Sequence, residues 1–241
     1  MAETRWVFFD ANGTLLYLDR VFERLQARLR EKGHLVPLAD VEHAARAEFA
    51  YYVSHSVAAR DEDSLWRFRL RCGAVLLEAF SQRGVVLPLS PAEAIQALLC
   101  SLEFRLFPDV LPAFATLRAA GVRLGVISNW DCTLPHILLR LGLGQWLEVT
   151  VVSALCGTEK PHPGIFHEAL KQAGAPPGAC VHVGDSVEKD VRGAQAAGMR
   201  AVWLDRRGTN AALGSVPRVG DLHELTGLLA GCYNRPREHP C

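Results

Sequence analysis

The sequence lacks several features that would assign it at once to a class of protein. Its 241 residues carry no excess of either charge, with 26 Lys plus Arg and 26 Asp plus Glu, so a basic surface for nucleic acid or acidic membranes is not expected. No apolar run approaches the roughly 18–20 residues that cross a bilayer, and the N-terminal segment lacks a secretory pattern. We therefore expect a cytoplasmic protein with no nucleic-acid or membrane partner.

The seven cysteines form no CxxC pair, and their number is odd. In a chain of this length, scattered thiols are typical of a reducing compartment rather than of a disulfide framework. Hydrophobic residues make up 49% of the chain and charged residues 22%, which is enough apolar material for a substantial core. The sequence carries no signal for an oligomeric state. These properties favour an ordinary globular fold and leave its function open.

Five short apolar runs have the character of buried parallel strands, because they are rich in β-branched and aromatic residues. Amphipathic helical patterns lie between them, and three of these end at Gly121, Gly174 and Gly198, where glycine is the expected stop signal. Strands that alternate with helices predict a doubly wound α/β fold with a parallel, Rossmann-like sheet. The predicted strands are 6–9, 122–127, 149–152, 180–183 and 201–204, and the predicted helices between them are 109–120, 163–173 and 188–197.

The interval from 17 to 102 differs from the rest because its pattern is helical, with 85–89 as the one candidate strand. Proline and glycine divide it into the helical segments 20–31, 38–54, 62–83 and 91–99. We therefore expect an α/β core formed by 1–16 and 103–232, a helical cap inserted at 17–102, and a flexible tail at 233–241.

Polar side chains stand where the predicted strands end, which is the edge at which ligands bind in open α/β sheets. Taken singly, each has a commonplace explanation as a cap, a turn former or a surface residue. Their joint occurrence at four successive strand ends favours one shared site. In chain order they are Asp10 and Asn12, then Ser128 and Asn129, then Lys160, then Asp185 and Asp190.

The strings DANGT, VISN, EKPHPGIF and GDSVEKD, in this order, resemble the four motifs of the haloacid dehalogenase superfamily. The helical interval resembles the family's C1 cap, and the fuller strings around the motifs are similar to the rhythmically-expressed-gene-2-like branch. The resemblance covers the core, roughly residues 5–16 and 103–206. It implies that Asp10 is a nucleophile, that Ser128 and Lys160, with Asn129 beside them, bind a transferring phosphoryl group, and that Asp185 holds magnesium.

Simple electrostatics agrees with these implied roles. A carboxylate that attacks a phosphate dianion beside another carboxylate is repelled, and a hard cation with oxygen ligands offsets the repulsion. Asp10 and Asp185 would bind Mg²⁺ through their side chains, and Asn12 through its backbone carbonyl. Lys160 would add positive charge next to the phosphoryl oxygens, and Asp190 would act from outside the metal ligands. A phosphorylated small molecule is the substrate that this chemistry implies.

Asn12 departs from the D-x-D pattern of the family's phosphatases, in which the second acid protonates the leaving oxygen and then activates water. An amide can do neither, and such general acid–base help is typically worth about 10²–10⁴-fold in rate. Three functions stay open. The first is phosphomonoester hydrolysis through Asp10, with Asn12 in the acid/base position and Lys160 as a further catalytic residue. The second is a metal- and phosphate-binding protein with little or no turnover, and the third is hydrolysis of a 2-haloacid, since halide leaves without a proton. The retained acids Asp185 and Asp190 favour the first over the third.

Overall fold

A parallel sheet with helices on both faces forms the centre of the molecule in the computed structural model, which describes residues 4–209 and 213–233. Within these residues the sheet has six strands in the order β5-β4-β1-β6-β7-β8, and all of its pairs are parallel. This confirms the predicted doubly wound α/β fold. The strands are β1 (Trp6–Phe9), β2 (Leu16–Leu18), β3 (Phe104–Leu106), β4 (Arg123–Ser128), β5 (Leu147–Val152), β6 (Cys180–Gly184), β7 (Arg200–Leu204) and β8 (Arg218–Val219).

Strand β1 is the central strand, and all four of its residues are buried. Val7 and Phe9 face one side of the sheet, where Phe114 belongs to the same apolar cluster. Trp6 and Phe8 face the other side with a second apolar cluster. Burial on both faces explains why the strand reads as a continuous apolar run without polar alternation. The five predicted strands are confirmed, each within two residues at either end, and the short β8 was not predicted.

The helices on the sheet follow the predicted pattern with one difference. The prediction at 163–173 is confirmed at both ends, and the prediction at 109–120 is confirmed within one residue. The segment predicted as a helix at 188–197 begins as a wider π-helix, Val187–Arg192, before a short α-helix. The α-helices are α1 (Val21–Glu31), α2 (Leu38–His55), α3 (Glu62–Gln82), α4 (Pro91–Leu99), α5 (Val110–Ala119), α6 (Leu134–Arg140), α7 (Ser153–Cys156), α8 (Pro163–Ala173), α9 (Gly193–Ala196) and α10 (Leu222–Tyr233), and 3₁₀ turns span Ser56–Ala58 and Pro177–Ala179.

Helices α1–α4 pack around an apolar cluster of their own, which includes Leu25, Phe68, Leu76 and Phe80. The four helices predicted between 17 and 102 are thereby confirmed. Strands β2 and β3 pair antiparallel where the chain leaves for these helices and returns from them. This two-stranded sheet was not predicted, because a strand of three residues is too short to show a recognisable alternation of apolar and polar residues.

The prediction of a strand at 85–89 was wrong, since the chain forms no strand there. Val86 is exposed, and Pro88 has no backbone N–H to donate to a neighbouring strand. The flexible tail predicted at 233–241 lies outside the described residues except for Tyr233, which ends α10. Among the described residues, no helix combines the length and the apolar character that a membrane crossing requires.

Candidate active site

The loop after β1 forms the floor of the candidate site. The Asp10 backbone N–H donates to the Val183 carbonyl at 2.9 Å, which fixes Asp10 against the neighbouring strand β6. Gly13 has a φ of +81°, a conformation that glycine adopts without strain. A Cβ atom at Gly13 would lie 2.5 Å from Asp185 Oδ2. The missing side chain therefore lets the loop and Asp185 approach each other closely.

Lys160 is a buried cation, 3% exposed, in the middle of the site. Its Nζ donates to Asp10 Oδ1 and Asp190 Oδ1, both at 2.6 Å, and to the Ile127 carbonyl at 2.9 Å. Ser128 Oγ donates to the same Asp10 oxygen at 3.0 Å. Burial opposes the charge of Lys160, but the attraction of the two carboxylates holds its pKa above the ordinary value. Lys160 is therefore charged at neutral pH and connects the carboxyl ends of β1, β4 and β6.

Asn129 holds the backbone of residue 160 in place. Its Nδ2 donates to the Lys160 carbonyl at 2.9 Å, and the Lys160 N–H donates to Asn129 Oδ1 at 2.7 Å. Both ends of the side-chain amide are thus engaged in positioning the lysine. The prediction that Asn129 also binds phosphate stays a prediction.

Asp190 lies behind Lys160 and has both carboxylate oxygens engaged. Oδ1 lies 3.0 Å from His182 Nε2, and Oδ2 accepts from the Ser186 N–H at 2.9 Å. A Cβ atom at Gly184 would lie 2.2 Å from Asp190 Cγ, so the carboxylate packs directly on the backbone of β6. Despite burial, Lys160 and His182 hold the pKa of Asp190 well below its ordinary value. Asp190 therefore stays ionised and orients the lysine, and its predicted place outside the metal ligands stays a prediction.

Three carboxylates converge beyond the end of β1. Asp10, Asp185 and Asp190 each offer an oxygen, and these oxygens lie within 4.8 Å of one another. Burial raises the pKa of Asp10 above its ordinary value, although Lys160 opposes the increase. Asp185 is exposed as a residue, but partial desolvation of its carboxyl group and the nearby charges of Asp10 and Asp190 raise its pKa to about 7. Three acids beside one lysine leave an excess of negative charge in a confined space.

This donor set fits a hard divalent cation. Carboxylate oxygens are the ligands that Mg²⁺ prefers, and a dication would neutralise the charge that raises the pKa values of Asp10 and Asp185. The distances between the carboxylate oxygens are compatible with one ion that both residues contact. Hereafter the strand-end site denotes Asp10, Ser128, Lys160, Asp185 and Asp190.

Asn12 is exposed and lies at the border between the strand-end site and a cavity of about 680 Å³. Residues of α2, α3, α4 and α6 line most of this space, and Asn12 and Asn129 line its end at the sheet. We call it the interhelical cavity. The structure thus brings all seven predicted site residues to one edge of the sheet, with Asn12 and Asn129 on the side that faces the cavity.

Arg206 was not among the site residues predicted from the sequence. It donates to both oxygens of Asp109, at 2.8 and 3.0 Å, and to the Thr14 carbonyl at 2.9 Å. Its guanidinium also lies 3.9 Å from the centre of the Phe107 ring. Arg206 therefore supports the loop that carries Asp10 and Asn12. No local motif could indicate this, because its partners are far away in the sequence.

Comparisons with known proteins agree with this geometry. A family model described as haloacid dehalogenase-like hydrolase matches residues 4–198. A phosphoserine phosphatase from Thermus thermophilus is 31% identical over 87% of this chain and 84% of that protein. Haloacid dehalogenase-like hydrolase domain-containing protein 3 from Danio rerio is 31% identical over 94% of this chain and 95% of its own.

Among solved structures, a 2-haloacid dehalogenase from Pseudomonas syringae pv. Tomato is 29% identical, with a TM-score of 0.63 over 95% of this chain and 99% of that one. A phosphatase and a dehalogenase are therefore both among the similar proteins. The stretch that the family model matches, residues 4–198, contains the four strand ends that build the site. The chain belongs to the haloacid dehalogenase-like family and is a hydrolase.

Proposed function

We propose that this chain hydrolyses phosphomonoesters of small molecules through a phosphorylated Asp10. The observation that carries the proposal is the buried ion-paired arrangement of Lys160 between Asp10 and Asp190, with Asp185 beside them. It combines a carboxylate nucleophile, a fixed positive charge for phosphoryl oxygens, and acids that suit a divalent cation. The similarity to a phosphoserine phosphatase supports the same class of reaction.

In the proposed reaction, Asp10 Oδ2 attacks the phosphorus atom, because Oδ1 already accepts hydrogen bonds from Ser128 and Lys160. The new bond joins Asp10 to phosphorus, and the bond from phosphorus to the alcohol oxygen breaks. That oxygen takes its proton from water, which becomes hydroxide, since the N–H protons of the Asn12 amide are far too weakly acidic to be given. A water molecule then attacks phosphorus, releases inorganic phosphate and restores the Asp10 carboxylate.

Lys160 and Ser128 keep Asp10 in place during both steps. The lysine also places a positive charge where the phosphoryl oxygens gain negative charge. The predicted ligands of Mg²⁺ are the Asp10 and Asp185 side chains and the carbonyl of Asn12, and the ion would supply charge that offsets the repulsion between carboxylate and phosphate. Helices α1–α4, in the interval 17–102, would act as the cap that covers the substrate.

Dehalogenation is the second candidate, and two observations favour it. A 2-haloacid dehalogenase is among the similar structures, and Asn12 stands where a phosphatase of the family has an acid. Against it, the chain retains Asp185, for which a reaction without metal has no evident use. A metal- and phosphate-binding protein without turnover is the third candidate.

One assay separates the three functions. The chain is incubated with p-nitrophenyl phosphate in Mg²⁺ or in EDTA, and with 2-chloropropionate in EDTA. Release of p-nitrophenol in Mg²⁺ that EDTA abolishes supports phosphoester hydrolysis. Chloride release in EDTA, with inert phosphoesters, would establish the dehalogenase instead. Binding of Mg²⁺ and phosphate by calorimetry, with no product in either assay, would identify a binding protein.

A further inference from the structure

The interhelical cavity has the size of a small-molecule site. Its volume of about 680 Å³ lies within the range of about 300–1,000 Å³ that is usual for ligand pockets. It reaches Asn12 and Asn129 at the sheet, so a molecule bound with its phosphate at the strand-end site would extend into it. A three-carbon phosphate would leave most of this space unfilled. The cavity therefore suits an ester with a larger organic group.

Aromatic rings form a continuous wall of the cavity. The ring centroids of Tyr52 and Phe68 are 5.6 Å apart, those of Tyr52 and Trp130 6.5 Å, and those of Trp130 and Phe104 5.5 Å. All four residues line the cavity. Trp130 directly follows Asn129, so the wall begins next to the strand-end site. Planar ligands pack well against aromatic rings through offset and edge-to-face contacts.

Tyr52 holds this wall against the sheet. Its hydroxyl oxygen accepts from the backbone N–H of Asp131 at 3.3 Å, which ties α2 to the loop after β4. The same loop is fixed from the other side, where the Cys132 N–H donates to the Ala59 carbonyl at 3.0 Å. The wall is therefore already in position in this structure.

Glu48 is a buried acid, 3% exposed, in the lining of the cavity. The Cys72 thiol, a weak donor, is its side-chain hydrogen-bond partner, and no ion pair in the described part of the chain involves Glu48. Burial accordingly raises the pKa of Glu48 to about 7. The buried Asp131 nearby differs, since it accepts from the Thr133 N–H at 2.8 Å. Glu48 thus keeps hydrogen-bonding capacity that the protein itself uses only weakly.

The other charged side chains that line the cavity are either already paired or less buried than Glu48. Glu103 is ion-paired to Arg24 and Arg105. Arg140 is exposed, and Arg69 is half-buried. Glu48 is therefore the charged group most enclosed by the aromatic wall and most in need of a partner.

We propose that the interhelical cavity receives the organic group of the phosphoester, that this group contains a planar aromatic ring, and that Glu48 selects it by hydrogen bonds to the polar edge of the ring. A ring that presents neighbouring N–H and C=O groups pairs with both oxygens of a protonated carboxyl group, and its N–H still donates to the ionised form. The substrate class is thus a phosphomonoester with a polar heteroaromatic ring, such as a nucleoside monophosphate. This assignment rests on the proposed hydrolysis at the strand-end site.

The test uses four esters that all release a primary alcohol, so that leaving-group strength stays similar. They are uridine 5′-monophosphate, benzyl phosphate, sn-glycerol 3-phosphate and O-phospho-L-serine. We expect kcat/KM for the first two to exceed that for glycerol 3-phosphate at least about tenfold, chiefly through KM. Preference for phosphoserine or glycerol 3-phosphate would overturn the proposal, because neither contains a ring.

Substitutions at Glu48 test its selective role. Glu48→Leu should raise KM for uridine 5′-monophosphate about tenfold and leave benzyl phosphate within about twofold, whereas Glu48→Gln, which keeps a donor and an acceptor, should restore most of the lost affinity. Glu42→Gln is the matched control, since Glu42 lies on the same helix and pairs with Arg46 at the surface. An equal fall in kcat for all four esters in Glu48→Leu would refute the selective role.

Calorimetric binding separates failure of this inference from failure of the proposed hydrolysis. Uridine 5′-monophosphate and glycerol 3-phosphate are titrated into the unaltered chain in the presence of Mg²⁺. If no ester is hydrolysed but the nucleotide binds more tightly, and Glu48→Leu removes the difference, the hydrolysis is refuted and the cavity assignment stands. Equal binding of both ligands would refute the assignment whatever the activity.

Discussion

The strand-end site and the interhelical cavity are built by different kinds of interaction. In the strand-end site, charged and polar side chains bond to one another over 2.6–3.0 Å, and the order of the parallel strands places them together. In the cavity, rings from two helices, a strand and a loop form the wall, and the side chain of the buried Glu48 has the Cys72 thiol as a hydrogen-bond partner. The first region is specified by short motifs and the second by packing between distant segments. Changes in the first should therefore affect chemistry, and changes in the second should affect substrate choice and stability.

Replacing Asp10 should have the largest effect. Asp10→Asn keeps the size of the side chain but removes the attacking carboxylate, so we expect turnover of a phosphoester to fall by at least about 10⁴-fold. Steady-state hydrolysis of p-nitrophenyl phosphate measures this, with circular dichroism to verify the fold. Residual activity above about 1% of the unaltered chain would show that another group attacks phosphorus.

Restoring an acid at position 12 should have the next largest effect, in the opposite direction. Asn12→Asp supplies the proton that the leaving oxygen lacks, and turnover should rise by about 10²-fold or more. The gain should be larger for benzyl phosphate than for p-nitrophenyl phosphate, because a nitrophenolate leaves without a proton. An equal gain for both esters would mean that the new carboxylate acts through the cation rather than as an acid.

Spontaneous deamidation at Asn12-Gly13 would mimic this substitution in part. Mass spectrometry of the peptide that contains Asn12 should therefore accompany the assay. Activity of the unaltered chain that rises in step with the deamidated fraction would belong to the acid form.

The contrast between the two regions explains what could be predicted from the sequence. Asp10, Ser128 and Asp185 follow or end strands β1, β4 and β6, and parallel strands that neighbour one another bring their ends together. The order of the motifs along the chain was therefore enough to indicate that they share one edge of the sheet. The predicted magnesium ligands and phosphate-binding roles remain predictions, since geometry alone assigns no role.

The sequence could not indicate contacts that depend on where a helix turns or packs. Asp190 reaches Lys160 and His182 from a π-helix, which an α-helical pattern does not predict. Glu48 occupies a helical position whose neighbours come from other helices, and its surroundings follow from how α2 packs on α3. Arg206 contacts residues about 100 and 190 positions away. In each case the missing information was tertiary packing.

The pH dependence of the free energy of unfolding should reveal the burial of Glu48 in the cavity, because a substitution at Glu48 does not alter the strand-end site. The folded pKa of Glu48 is raised to about 7, whereas an unfolded glutamate titrates near 4.3. Between these values the folded chain holds a proton that the unfolded chain has lost, so the contribution of Glu48 to stability falls as pH rises through this window and is constant above it.

Glu48→Gln removes this dependence. The free energy of unfolding of the variant, relative to the unaltered chain, should therefore increase between pH 4.5 and 7.5 by up to about 3 kcal/mol, at 1.36 kcal/mol for each unit of pKa. Urea titrations at a series of pH values measure the difference, and Glu42→Gln serves as the exposed control. A difference that does not change with pH would show that Glu48 titrates normally and is not enclosed by the cavity wall.

Replacing Arg206 by lysine should have the smallest effect and should reach the strand-end site from outside it. Lysine keeps the charge but cannot bond both oxygens of Asp109 and the Thr14 carbonyl together, since it lacks the planar fork of arginine. We expect a loss of about 1–2 kcal/mol in the free energy of unfolding, and a fall of a few fold in kcat because the loop that carries Asp10 loses a support. Arg207→Lys is the matched control, since Arg207 is exposed and adjacent. Loss of stability with unchanged kcat would show that the loop keeps its position without Arg206, and that the strand ends alone hold the nucleophile in place.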